Sequence, residues 1–319
     1  MVPFDAYVFM LTDPVTRVGT SPLADVPMLP WPRLPELIRA RYLTTVNRWP
    51  ELLDSSVHVA SLLEATAGEP SRSLLWQEVQ REFGVVDVAV APFGDRHGTW
   101  AMLELWRSGG RFAPDELRYL GQLAPHVVPG IRSALARTFV DAPDQLLPVG
   151  PAVVVLGPDL QVHSQTAGAA AALLRLNPPD EPMTPIPAAA YNVAGALVAT
   201  EHGVPVGEPW SRVHLGGSRW VTVKADRMGP PADAEARDIA VSIEPSTPAE
   251  RTDLFARVHG LSPRETQVMA LLGNGMSSAE VAARLVLSEH TVNDHVKAVL
   301  EKSGARTRQV LLSRALGAG

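Results

Sequence analysis

The chain of 319 residues contains no cysteine. That absence excludes a disulfide scaffold, a thiolate zinc site, a cysteine nucleophile and a thioether-linked cofactor. Long apolar runs are missing too. No stretch approaches the ~18 residues that span a bilayer, and the N-terminus lacks the basic start and apolar run of a secretory signal. The expectation is a cytoplasmic protein with no membrane association. No Gly-Lys dipeptide occurs, which excludes a Gly-Lys-Ser/Thr phosphate loop. No Gly-x-Ser-x-Gly elbow occurs either. His290 and His295 stand roughly 140° apart on a helix with its ~100° step, so they share no face for a metal. His202 has no partner at metal spacing. Asp159 falls in a hairpin turn, not at the end of a strand feeding a helix, which argues against a phosphorylated receiver. Scattered Asp, Glu and His form no readable acid/base pair. The chain reads as non-enzymatic, with no cofactor and no metal.

Apolar residues make up 46% and charged residues 19%, so packed cores are expected and wholesale disorder is not. At about 100–200 residues per domain, the length suggests two or three domains. Aromatic residues stop at Phe255, and residues 258–319 have none. Charge shifts at the same place. The net charge is −6 overall. Residues 258–319 carry seven basic and five acidic groups, net +2, which leaves −8 for the rest. A small basic piece follows a larger acidic one.

The larger piece divides at a proline-rich stretch, 141–150, which reads as a linker. Residues 246–257 read as a second. Residues 1–140 are α/β in pattern: a strand at 7–11, β-rich runs at 85–90 and 99–106 around a five-residue loop, and helix-like stretches at 34–42, 71–83 and 114–137. Residues 151–245 show a hairpin at 153–162, an Ala-rich helix, a second hairpin at 210–224 and a closing strand at 239–243. Helices on one side of a mainly antiparallel sheet are an α+β arrangement.

Residues 258–319 are the most informative. Ser262-Pro263-Arg264-Glu265 and Ser277-Ser278-Ala279-Glu280 are capping boxes, and Ser288 caps a third helix. Val292, Val296, Val299 and Leu300 lie at helical spacing on that helix, which Gly304 ends. Val310 to Leu316 reads as a fourth. The second and third helices are joined by Val286-Leu287 alone, a helix-turn-helix pattern. Asn293, Asp294 and Lys297 project from the face opposite the apolar stripe. Asn pairs with adenine, Asp accepts from cytosine, and Lys reaches guanine or phosphate. His290 and Thr291 stand at the helix N-terminus, where phosphate is favoured. Without aromatics the module cannot stack on unpaired bases, which favours duplex DNA.

Leu261 to Glu265, Gly275 to Leu285, Leu287-Ser288, Thr291-Val292, His295 and Lys302 to Gly304 together closely resemble the DNA-binding domain of LuxR-type transcriptional regulators. The resemblance covers about 258–317. It implies a four-helix domain whose third helix enters the major groove and whose fourth often supports dimerisation. It assigns base contacts to Asn293, Asp294 and Lys297. Backbone contacts are expected from Ser288, His290, Thr291, Lys302 and Arg306. Many members carry Lys where this chain has Asn293, so the target sequence should differ.

Upstream, 1–140 resembles a GAF domain and 151–245 a PAS-type domain. The helix expected before the first GAF strand is absent, so either the domain is trimmed or the true start lies upstream. Tyr7, Phe9, Trp100, Met102 and Trp106 are the candidate ligand-pocket residues of the first domain, and Trp210 and Trp220 are the candidate lining groups of the second. The expected fold is therefore multidomain: a GAF-like α+β domain, a smaller PAS-like α+β domain and an all-α four-helix LuxR-type helix-turn-helix domain. The expected function is sequence-specific regulation of transcription by a homodimer on double-stranded DNA, with an unidentified small-molecule effector. The rival readings are a ligand-binding or interaction module with a vestigial DNA domain, and an enzyme on the GAF/PAS part.

Overall fold

A run of apolar and aromatic residues, Ala6 to Leu11, builds the first strand. Ala6, Val8, Met10 and Thr12 are buried, and the residues between them are half-buried. The computed structural model describes residues 1–55, 58–140, 150–175, 187–229 and 237–317. Of the stretch expected as a linker, 141–149 lies outside the described residues.

The first sheet contains β1 (Ala6–Thr12), β2 (Gly19–Asp25), β3 (Ala60–Ser61), β4 (Asp87–Asp95) and β5 (Gly98–Arg107). Their order is β2-β1-β5-β4-β3, and every ladder is antiparallel. The β4–β5 ladder runs to Asp95 opposite Gly98, which leaves a tighter turn than the five-residue loop expected. The helices of this region are α1 (Leu34–Leu43), α2 (Trp49–Asp54), α3 (Leu62–Ala65), α4 (Pro114–Gly121) and α5 (Ala124–Arg137). The helix expected over 71–83 is a 3-10 turn, Pro70–Arg72, and a π turn, Trp76–Gln80. The stretch 114–137 breaks at Gln122-Leu123 into α4 and α5.

The second sheet contains β6 (Val153–Leu156), β7 (Val162–Gln165), β8 (Trp210–His214), β9 (Trp220–Arg227) and β10 (Ile239–Pro245), in the order β7-β6-β10-β9-β8. Of the helices that follow in this stretch of chain, α6 (Ala167–Leu174) lies on β6, and α7 (Ala188–Glu201) packs on α1 and on β2 of the first sheet. The C-terminal region is all helical: α8 (Pro248–Val258), α9 (Pro263–Gly273), α10 (Ser278–Leu285), α11 (Glu289–Ser303) and α12 (Arg308–Leu316). Residues 246–257, expected as a linker, therefore form most of α8. Thr247 and Glu250 make a capping box there, and Leu254 and Phe255 are buried at 1% and 0% exposure. The proline that looked like a break is the first residue of that helix, where its missing N–H costs nothing.

Two compact units result. One comprises Met1–Val128, Val149–Val213 and Thr222–Glu244, and so holds most of both sheets. The other comprises Pro129–Pro148, His214–Val221 and Pro245–Gly319. Within the first unit the sheets are joined by a buried ion pair. Asp13 Oδ2 accepts from Arg212 Nε at 2.7 Å, and both side chains are almost fully enclosed. Asp13 also accepts from the backbone N–H groups of Val15, Thr16 and Arg212, so the buried carboxylate is well satisfied. Helices α1 and α7 approach closely because Gly195 has no Cβ; one there would lie 2.8 Å from the Tyr42 ring.

Candidate nucleic-acid interface

The C-terminal helices begin where side-chain oxygens satisfy their first N–H groups. Ser262 accepts from Glu265 N at 3.3 Å, Ser277 from Glu280 N at 3.3 Å, and Ser288 from Thr291 N at 3.1 Å. In the first two, the Glu carboxylate accepts in return from the N-cap backbone. Gly304 closes α11 in the left-handed conformation with φ 62°. Between α10 and α11 the chain turns at Val286, with φ 55° and 90% of its surface exposed.

These helices close over Val268, Leu272, Val281, Ala282 and Val292, with Val296 packed against them. That packing fixes the rotation of α11. Val292 and Val299 are buried, so Asn293, Asp294 and Lys297 are all exposed on the outer face. Two exposed side-chain pairs lie along that face. His290 Nε2 is 3.6 Å from Asp294 Oδ2, and Lys297 Nζ is 4.0 Å from Glu301 Oε1. Pairs this exposed contribute little, so docking against a base edge loses little by breaking them.

The expected backbone-contact residues separate into groups. Ser288 and Thr291 stand at the N-terminus of α11, with their hydroxyls 2.9 Å apart. His290 and Arg306 are exposed. Lys302 is engaged elsewhere. Its ammonium donates to both Glu265 oxygens, at 2.9 and 2.7 Å, and ties the end of α11 to the start of α9. Burial alone pushes the Glu265 carboxyl up, but Lys302 and the Ser262 N–H and hydroxyl together hold it below the usual carboxylate range. Arg264 donates to Leu285 O at 2.8 Å and Arg308 to Met276 O at 2.6 Å. Three of the seven basic groups in 258–319 are thus used inside the domain. Arg284, not among the expected contact residues, is exposed on α10; nothing in its local pattern distinguishes it from a solvated helix residue.

The five candidate pocket residues of the first domain do not converge. The β1–β5 register pairs Val8 with Glu104 and Met10 with Met102, which puts Trp100, Met102, Glu104 and Trp106 on one face of the first sheet. Tyr7 and Phe9, opposite Leu105 and Leu103, lie on the other face. Trp100, Met102 and Trp106 are fully buried. Trp100 Nε1 donates to Asp95 at 3.0 Å and Trp106 Nε1 to Glu104 at 3.3 Å.

Residues 259–315 match the family model described as bacterial regulatory proteins, luxR family. A curated relative from Streptomyces halstedii, a probable HTH-type transcriptional regulator named GfsR, is 39% identical over 57 residues. That match covers 18% of this chain and 24% of the relative, so the chain spans about a quarter of that protein's length. Among solved structures, the phage VqmA-DPO complex aligns over 62% of this chain and 91% of its own at 16% identity, with a TM-score of 0.23. The C-terminal region is a LuxR-type helix-turn-helix domain, and two α+β sheet domains precede it.

Proposed function

We propose that this chain is a transcriptional regulator that binds specific duplex-DNA sequences as a homodimer, while its upstream sheet domains, read as GAF-like and PAS-like, sense a small molecule. The observation that carries the reading is α11. Its apolar stripe is locked into the core, its N-terminus is capped by Ser288, and Asn293, Asp294 and Lys297 stand outward in the domain matched to LuxR-family regulators. A helix presented this way fits the major groove, with amide, carboxylate and ammonium groups directed at base edges. Its N-terminal N–H groups, His290 and Arg306 suit the flanking phosphates.

Selection of genomic fragments by the purified chain tests this. Asn293→Ala and Lys297→Ala should each weaken binding to a selected fragment by about 1–3 kcal/mol. Variants that bind like the parent would remove these residues from the reading face. A parent chain that selects no fragment would favour an interaction module with a vestigial DNA domain. The mass of the bound complex decides between one copy and two.

A further inference from the structure

A cavity of about 40 Å³ lies inside the first unit, several times the ~10–15 Å³ that one water needs. Its apolar wall includes Leu62, Leu75, Val88 and Val90, and Gly207 lies at its edge. Gly207 is fixed there by contact: a Cβ would fall 1.9 Å from Thr16 O. None of the aromatic and Met residues singled out from sequence lines it.

Its polar lining has two properties. First, the charges on it are already matched. Arg41 donates to both Glu104 oxygens at 2.9 and 2.5 Å, with both side chains under 5% exposed. Arg17 pairs with Asp54 at 2.7 Å, and Arg48 with Glu51. An ionic ligand would enter with no counter-charge waiting and would lose its hydration. Second, two amide donors are left over. Gln80 is 1% exposed, and its Nε2 has no hydrogen-bond partner among the described residues; the same holds for the buried Nδ2 of Asn47. Both residues line the cavity. Neither sits on ordinary backbone. Gln80 closes the π turn, where Arg81 N bonds Trp76 O at 2.9 Å and consecutive residues Val79 and Gln80 are both buried. Asn47 holds φ 52°. Single π turns concentrate at functional sites, and a buried donor without an acceptor is costly.

We infer that this cavity binds a small uncharged molecule carrying at least two hydrogen-bond acceptors, held by the side-chain amides of Gln80 and Asn47 against an apolar wall. The inference rests on the sensing half of the proposed function and is independent of the DNA-binding half.

Ligand-observed NMR on the full chain without DNA tests it, with methyl formate and 1,3-dioxolane, each small and carrying two acceptor oxygens, as neutral probes and methylammonium and acetate as charged ones. Saturation should pass to the neutral probes and not to the charged ones. Gln80→Leu should remove that transfer and raise the melting temperature, because it deletes an unsatisfied donor and keeps the shape. Asn47→Asp, which keeps the backbone preference and replaces a donor with an acceptor, should weaken neutral-probe binding at least tenfold. Equal binding of charged probes, absence of binding to either neutral probe, or unchanged binding in Asn47→Asp would each overturn the assignment. A Gln80→Leu variant that melts earlier would show that the amide is structural and would also overturn it. Fragment selection by the parent chain, measured separately, shows whether the DNA-binding reading stands when this one fails.

Discussion

At the scale of single residues, the helix-turn-helix contains one conformation that its side chain disfavours. Val286 is β-branched, sits at φ 55° and is 90% exposed, so it bears left-handed backbone strain with little packing in return. Asparagine tolerates that region far better. Val286→Asn should stabilise the α10–α11 pair by about 1 kcal/mol, read as slower amide exchange in those helices; unchanged or faster exchange would mean that Val286 has a packing role. Lys302 poses a sharper question, because phosphate contact and internal strut predict different behaviour. With its ammonium on Glu265, Lys302→Met should cost about 1–2 kcal/mol of domain stability, between the values for exposed and buried pairs. It should leave the salt dependence of DNA binding unchanged. A slope shallower by about 0.9 would instead assign Lys302 to a phosphate.

At the scale of elements, the end of α8 depends on protonation. His259 lies at that C-terminus with its ring 4.3 Å from Phe255. Burial lowers its pKa from 6.5 to about 4, with Arg132 and Arg314 adding to the effect and a hydrogen bond to the Lys302 backbone opposing it. The folded state thus resists a proton that the unfolded chain accepts from about pH 6.5 downward. Stability should fall between pH 6.5 and pH 4, by on the order of 3 kcal/mol in full, and level off below. Amide exchange across α8 at pH 7 and pH 5 should show that fall in the parent and a much smaller one in His259→Phe. Elements also divide by how legible they were. The caps at Ser262, Ser277 and Ser288 are local signals four residues long, and all three formed as expected. Helix α7 was missed because nearly all of its residues are buried, which leaves no polar face and no period to read. The cavity has a different reason for escaping notice: its lining comes from short pieces around residues 16–18, 41–50 and 206–207 and from the single positions Leu62, Ser73, Leu75, Gln80, Val88, Val90 and Glu104, which only the fold brings together. Of the residues expected to line a pocket, Trp100, Met102 and Trp106 are core, while Tyr7 and Phe9 are half-buried on the other face of the sheet.

At the scale of the whole molecule, the acidic total hides how little positive charge the DNA face offers. Residues 258–319 carry a net charge of only +2, and of their seven basic groups Lys302, Arg264 and Arg308 are engaged internally, so affinity should lean on base contacts and on a second copy. The second unit also shows how the domain is supported. Phe139, two residues past the end of α5, stacks on Trp220 at 5.7 Å and meets Phe255 of α8 edge-on at 5.3 Å. Trp220 Nε1 donates to Thr138 Oγ1 at 3.2 Å, and Arg132 donates to Val258 O at 3.0 Å. This ring cluster joins three distant stretches of chain, yet it shares no residue with the core beneath α10 and α11. The two cores should therefore respond separately. Phe139→Ala should cost about 3–5 kcal/mol where the rings meet and speed amide exchange in α8 and in residues 214–221. Protection in α10 and α11 should persist, and affinity for a selected fragment should stay within about twofold, less than half a kcal/mol. If exchange instead accelerates equally through α9 to α12, the ring cluster and the helix-turn-helix are one cooperative body, and a disturbance at Trp220 would reach the outer face of α11 directly.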